Sequence, residues 1–459
     1  MHFAQIYTPG IAQCSYVIGS GKKCVVIDPV RNIEQYLVKA KEFNMDIAGI
    51  LETHLHADFV SGHMELADVT GAPIYAPSIA NCTFPHHSIV DNEEFTIENL
   101  RFKLLETPGH TPDCAVYVVA DLERSEEPIM VFTGDTLMVG DVGRPDLFPD
   151  HEEELAEKLF FSLKRLKELP DHLEIYPAHG MGSLCGRALS AKLWSTIGTE
   201  RRYNYALQHT ELSSFKTDLL TDMPSAPDHF ARCSEINRVG PDLKREMPNT
   251  LPLNPKEVQE TLSRGAIILD VRPYHSFAAA HIANAYSVSR FGNLGTFAGW
   301  VVPPEKDIIL VLDNEADMLR VKETLYNVGL DNIKAYLEGS IESWLNEGLP
   351  ANNVETISVQ KLREWMDKEE VVVLDNRDEN AWKKGHIKGT TLAPAPDLRH
   401  RYTEWDPNKT TVVLCNTSNR SMTGASILKQ NNFERVINVL GGTTAWSAAG
   451  YSLETGGNK

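Results

Sequence analysis

Short apolar runs broken by glycine and proline dominate the first part of the chain, as in Cys24-Val25-Val26-Ile27-Asp28-Pro29 and Asp46-Ile47-Ala48-Gly49-Ile50-Leu51. Runs of this length with little polar alternation predict buried strands. Apolar positions recur at helical spacing across Ile33 to Ala40 and again across Glu152 to Leu169. Strands alternating with such helices predict an α/β layered domain. Residues 190–245 are more polar and read as helices, with a Pro-spotted stretch at Met223-Pro224-Ser225-Ala226-Pro227 and a linker near 240–255.

Past the linker one pattern occurs twice. Ala266-Ile267-Ile268-Leu269-Asp270-Val271-Arg272 returns as Glu370-Val371-Val372-Val373-Leu374-Asp375-Asn376-Arg377, each an apolar strand closing on Asp-x-Arg. His281-Ile282 returns as His386-Ile387, a buried strand follows in each copy (Asp307 to Leu312, Thr410 to Leu414), and Gly339 with Trp344 parallels Gly441-Gly442 with Trp446. The period of about 105 residues is too long for a solenoid and suits duplicated domains. The expected domains are therefore residues 1–245, 255–350 and 355–459.

Bulk properties narrow the function. The apolar and charged contents, 42% and 23%, are those of a globular protein. A net charge of -19 disfavours nucleic acid and anionic membrane as partners. No signal peptide or bilayer-spanning run is expected. Seven scattered cysteines without a CxxC pair fit a reducing cytoplasm. Cys14, Cys24, Cys82, Cys114 and Cys233 read as inert core residues.

The candidate chemistry begins at Thr53-His54-Leu55-His56-Ala57-Asp58-Phe59, directly after an apolar strand. Metal-capable side chains crowded at a strand end can turn toward one point and hold a cation. Thr107-Pro108-Gly109-His110, Thr133-Gly134-Asp135 and Pro177-Ala178-His179-Gly180 follow in that order. Together these motifs resemble the metallo-β-lactamase superfamily over the first half of the chain, which implies an αββα sandwich. The departure is Phe59, which stands where two-metal members have a further His. Phenylalanine offers no lone pair, so a one-metal site is expected.

Among one-metal members the sequence resembles the persulfide dioxygenases. That resemblance implies one Fe(II) in the N-terminal domain, held by His54, His110 and Asp135, with positions open for a thiolate and dioxygen. By composition alone a His-His-Asp site also suits Zn(II) or Mn(II). His56, Asp58 and His179 would stand behind the ligands, orienting them or handling protons; His56 reads equally as a structural hydrogen-bonder. Arg144 is a candidate for an anionic substrate tail or, equally, a loop salt bridge. Cys185 is a candidate sulfur relay or a packed cysteine at a helix start.

The two repeat copies resemble the rhodanese fold, a small doubly wound α/β domain. Cys415 ends an apolar strand and opens Cys415-Asn416-Thr417-Ser418-Asn419-Arg420-Ser421 ahead of an expected helix. Backbone N–H groups and a helix N-terminus at such a position stabilise an anion, and Arg420 adds positive charge. In the rhodanese family this Cys carries the transferred sulfur. Many rhodaneses have Gly where Ser418 stands. The middle copy has Asp313 at the nucleophile position, and a carboxylate cannot carry sulfur, so residues 255–350 are expected to be an inactive structural or docking module.

The whole chain resembles the persulfide dioxygenase–rhodanese fusions of bacterial sulfide detoxification. The partners this implies are a low-molecular-weight thiol persulfide, dioxygen, and sulfite or thiosulfate, in a homo-oligomer. Two alternatives stay open: a glyoxalase II-like thioester hydrolase and a non-enzymatic sulfur-carrier scaffold.

Overall fold

The structure, a computed structural model, describes residues 1–221, 223, 225–368 and 371–456. Pro224, Glu370 and the end of the expected third domain lie outside the described residues. The fold resolves into two compact units, 1–246 with 326–329, and 247–325 with 330–459. The second unit contains both repeat copies. Among the described residues no helix is long and apolar enough to cross a membrane.

The first unit is a sandwich of two six-stranded sheets. One runs, in spatial order, His2–Thr8, Gln13–Ser20, Lys23–Ile27, Asp46–Leu51, Ile74–Pro77 and His87–Ile89. The other runs Ser195–Thr196, Glu174–Pro177, Met130–Gly134, Ala115–Asp121, Leu100–Glu106 and Glu94–Ile97. Tyr16, Val25 and Ile27 of the first sheet and Phe102, Tyr117 and Phe132 of the second form the apolar layer between them. Each fully buried side chain of this size is worth about 1.5–3 kcal/mol against exposure. On the outer face of the first sheet the helices Glu34–Glu42 and His63–Thr70 bury Tyr36 and Leu66. Glu152–Lys167 covers the second sheet with Leu159, Phe160 and Leu163, the helical stripe visible in its sequence. The polar stretch before the linker forms the helices Ile197–Tyr203, Leu212–Leu220 and His229–Val239.

The second unit holds two five-stranded parallel sheets of the same topology. In spatial order the first is Leu251–Leu253, Ile333–Leu337, Ile308–Val311, Ile267–Asp270 and Tyr286–Ser287. The second is Glu355–Ile357, Val436–Val439, Thr411–Leu414, Val372–Asp375 and Thr391–Leu392. Duplication also shows in the side chains. Arg272 pairs with Asp270 and Arg377 with Asp375, both at 2.6 Å, and each Arg also caps a loop carbonyl, of Ala280 or Gly385. The Asp-x-Arg signature is thus a buried internal tie that closes each strand-to-loop turn. His281 stacks on Phe277 and His386 on Trp382, at 3.9 and 3.8 Å between ring centroids.

Candidate functional site

Four strand ends build the first site. The loop after Asp46–Leu51 carries His54, His56, Asp58 and Phe59; Leu100–Glu106 leads to His110, Met130–Gly134 to Asp135, and Glu174–Pro177 to His179. A strand end is a rigid mount, so each side chain arrives with little freedom to lose on binding. Gly143 lets the chain close behind them, because a Cβ there would lie 2.3 Å from the Asp135 carbonyl oxygen and 2.7 Å from His110.

His54, His110 and Asp135 are buried and bring their ligand atoms to one point. Asp135 Oδ2 lies 3.3 Å from His110 Nε2 and 3.8 Å from His54 Nε2. The outer ring nitrogens fix both tautomers. His110 Nδ1 is 2.8 Å from the Arg144 carbonyl, which can only accept, so that nitrogen carries the proton. His54 Nδ1 is 2.9 Å from Thr53 Oγ1, whose own hydrogen goes to Asp28 Oδ2, so His54 Nδ1 also donates. Both Nε2 atoms are left with free lone pairs, buried and without a hydrogen-bond partner. Burial holds both rings neutral, lowering His54 well below and His110 below the usual imidazole range. Burial alone would raise Asp135, but His179, His110 and His54 overcome it and keep the carboxylate ionised. Two neutral imidazoles and one carboxylate, with orphaned lone pairs, fit a divalent transition metal.

The remaining family positions are differently engaged. His179 offers Nδ1 to Asp135 at 2.8 Å and Nε2 to Asp58 Oδ2 at 2.8 Å. Burial opposes its charge, yet the two carboxylates raise it well above the ordinary imidazole range, so it bridges them as an imidazolium. Phe59 is fully buried, with its ring 4.4 Å from that of His56. His56 faces the other way from the ligand trio: its Nε2 is 3.2 Å from Asp28 and 3.9 Å from Glu52. Burial disfavours its charge, but those carboxylates raise its affinity for a proton overall. Asp28 and Glu52 were not singled out by sequence reasoning. Their one signal is position, each lying at the end of a strand that borders the His54 loop.

Two candidates carried two readings each. Arg144 is almost wholly buried, with its guanidinium bidentate to Asp146 at 2.7 Å, which is the loop salt bridge and not an open anion site. What reaches the site from Arg144 is its carbonyl, on His110. Cys185 lies in an irregular turn with no helix starting there, buried beside Asp58 and His179. Burial, aided by Asp58 and Asp135, pushes its thiol well above the usual range. Cys14, Cys24 and Cys82 are pushed up by burial to about 12.

Cys415 follows the strand Thr411–Leu414, at the carboxyl edge of a parallel sheet, where open α/β folds place ligands. The backbone N–H of Ser418 donates to its Sγ at 3.2 Å, and the helix Asn419–Gln430 starts just beyond. Gly442 allows the neighbouring turn to pass, since a Cβ there would fall 1.8 Å from the Cys415 carbonyl oxygen. Arg420 lines the same pocket and pairs with Asp378 at 3.0 Å.

Ser418 adopts φ +85°, the left-handed region. Its hydroxyl compensates, donating to the Val439 carbonyl at 3.0 Å and accepting from the Gly441 N–H at 2.9 Å. The strain costs about 1–2 kcal/mol and the two bonds return about 0.5–1.5 kcal/mol each. Ser418→Gly removes both effects and is expected to change stability by less than about 1 kcal/mol. Ser418→Ala keeps the strain and loses the bonds, and is expected to cost about 2–3 kcal/mol. Urea unfolding of the two variants checks the order; a larger loss for Ser418→Gly would contradict it.

Comparison with known proteins agrees with this architecture. The metallo-beta-lactamase superfamily model matches residues 8–179, and the rhodanese-like domain model matches twice, at 254–347 and 358–449. A crystal structure of a metallo-beta-lactamase from Staphylococcus aureus subsp. aureus COL is 31% identical, covering 73% of this chain and 98% of that one, with a TM-score of 0.66. Glyoxylase B2 of Dictyostelium discoideum is 33% identical over 34% of this chain. Hydroxyacylglutathione hydrolase of Prochlorococcus marinus (strain MIT 9211) is also 33% identical over 34% of this chain. The chain spans only about three-fifths of the length of these two relatives, 62% and 60%. With two sandwiched sheets carrying the ordered His and Asp motifs, and matches of this extent, the chain belongs to the metallo-beta-lactamase superfamily and carries two rhodanese-like domains after its lactamase domain.

Proposed function

We propose that the chain is an iron-dependent persulfide dioxygenase joined to a sulfurtransferase. The observation that carries this reading is the asymmetry of the first site. His54 and His110 leave their Nε2 lone pairs without hydrogen-bond partners beside the Asp135 carboxylate, whereas Asp58 and His179, which cluster with Cys185 where a second metal would sit, face each other at 2.8 Å beside the inert ring of Phe59, which supplies no ligand. A ferrous ion held by the trio would supply the one-electron chemistry that lets dioxygen react with a sulfur nucleophile.

The chain's own residues do the rest. The Arg144 carbonyl and Thr53 hydroxyl aim the two imidazoles, and Asp135 supplies the negative charge that favours Fe(II). His179, charged between two carboxylates, holds Asp135 and Asp58 in place. In balance, RSSH, O2 and H2O give RSH, sulfite and two protons. Cys415 thiolate then attacks the outer sulfur of a second RSSH, its S–S bond breaks and RSH leaves. Sulfite attacks the outer sulfur of the Cys415 persulfide, giving thiosulfate and the free thiolate. The Ser418 N–H stabilises that thiolate each time it is regenerated. Housing both sites in one chain raises the concentration of sulfite available to Cys415.

A hydrolase is the second reading, favoured by the relative called hydroxyacylglutathione hydrolase. Metal content separates the two. One iron per chain after anaerobic loading is the expected result, with Phe59→His raising the count toward two. Two metals per wild-type chain, with turnover of a glutathione thioester, would favour hydrolysis.

A further inference from the structure

The rhodanese-like domain without a sulfur-carrying thiol forms one wall of its neighbour's active pocket. A cavity of about 200 Å³ opens in front of Cys415; Asn416 and Arg420 flank the thiol, while Ser289, Asn293 and Phe297 of the preceding domain face it. The Arg420 guanidinium lies over the Phe297 ring, 5.3 Å from its centroid. The seam is tight at its base. Thr423 Oγ1 donates to the Ser287 carbonyl at 2.7 Å, and the Ser287 N–H donates to Ser426 Oγ at 3.1 Å, all buried.

That wall has its own anchor. Arg290, one residue past Ser289, pairs through its guanidinium with Asp313 and places Nε 3.1 Å from Asp317. Its guanidinium also covers the Phe291 ring at 4.2 Å. Asp313 follows the strand Ile308–Val311 much as Cys415 follows Thr411–Leu414. Where a nucleophile would stand, the middle copy therefore has a carboxylate that grips the loop leading to its neighbour's pocket. Arg290 thus meets two carboxylates that follow the strand Ile308–Val311, Asp313 and Asp317.

We infer that Asp313 is a positioning residue: by clamping Arg290 it fixes the 288–297 segment over Cys415, so the middle domain restricts by size which sulfur donors and acceptors reach the thiol. The cavity is below the roughly 300–1,000 Å³ of sites that enclose drug-sized ligands. It suits an acceptor of a few heavy atoms, such as sulfite, and closes around no more than the sulfur end of a large thiol carrier. The inference rests on Cys415 being the sulfur-transfer residue, and the test reads access to Cys415 apart from transfer.

The full-length protein is treated with iodoacetamide or with a fluorescein-sized iodoacetamide, and alkylation of the Cys415 peptide is timed by mass spectrometry. Wild type should react much faster with the small reagent. Asp313→Asn and Arg290→Met should each raise the bulky-to-small rate ratio by about threefold to fivefold, the range open to a partly exposed ion pair. Asp313→Glu should restore the wild-type ratio. An unchanged ratio in both disrupting variants, or a ratio in Asp313→Glu as high as in Asp313→Asn, would overturn the inference. Where transfer is active, KM for sulfite should move in the disrupting variants while kcat holds; equal losses in kcat would point to general damage and against positioning. Separately, wild-type Cys415 that gains no sulfur from a thiol persulfide would overturn the transfer reading and leave the access result standing.

Discussion

Asp135→Ala is expected to abolish metal retention and persulfide oxidation together. Asp135 is fully buried and its carboxylate lies within 3.8 Å of His54, His110 and His179 alike. Removing it leaves two neutral imidazoles as ligands and strands the His179 imidazolium with Asp58 alone. Changes to groups that merely orient a ligand cost about 10–100-fold in affinity or activity, so loss of a ligand should exceed that, at about 1,000-fold or more. The broken charge contacts should also destabilise the metal-free protein by about 3–5 kcal/mol. Asp135→Asn keeps the volume and an oxygen that can still accept from His179, so it should be destabilised less than Asp135→Ala and still lose the metal. Elemental analysis of both variants after anaerobic loading is the check. One iron per chain in either would remove Asp135 from the ligand set.

The second large effect falls on the other unit. Cys415→Ser should leave dioxygen uptake within about twofold of wild type, while enzyme-dependent thiosulfate formation falls by about 100-fold or more, because a serine hydroxyl cannot form the persulfide. Sulfite should accumulate in its place. The change is one atom, and both donors to it, the Ser418 N–H and the Ser421 hydroxyl, can serve an oxygen as well as a sulfur, so the fold should tolerate it. Joint quantitation of sulfite and thiosulfate reads the effect above the uncatalysed reaction of sulfite with persulfide. An unchanged thiosulfate yield would mean that sulfur passes by another route.

Much of this was legible in the sequence, for physical reasons that differ by element. The duplicated fold showed because each copy repeats the same buried ties, Asp270 with Arg272 and Asp375 with Arg377. That metal-capable side chains would gather was legible because they follow apolar runs and strand ends in a sandwich converge, while the grouping of His54, His110 and Asp135 came from the family resemblance. The direction a side chain faces was not. His56 differs from His54 by two residues, yet it turns to Asp28 and Glu52, a preference set by burial of those carboxylates and invisible to spacing. The loop salt bridge of Arg144 was one of its two readings, but the bond from His110 to its carbonyl was not legible, since a carbonyl leaves no mark in the residue type. The Cys415 pocket was half legible. Its loop was plain, but its other wall comes from Ser289, Asn293 and Phe297, more than a hundred residues earlier in a segment with no motif.

The central claim is that one metal in the His54, His110 and Asp135 site oxidises a persulfide whose sulfur then reaches thiosulfate through Cys415. The most direct measurement is dioxygen consumption by anaerobically purified, Fe(II)-loaded protein given a thiol persulfide, with sulfite and thiosulfate quantified in the same samples. The expected result is rapid uptake, one dioxygen for each thiosulfate formed, and two persulfides consumed. No uptake by protein shown to contain one iron per chain would contradict the account.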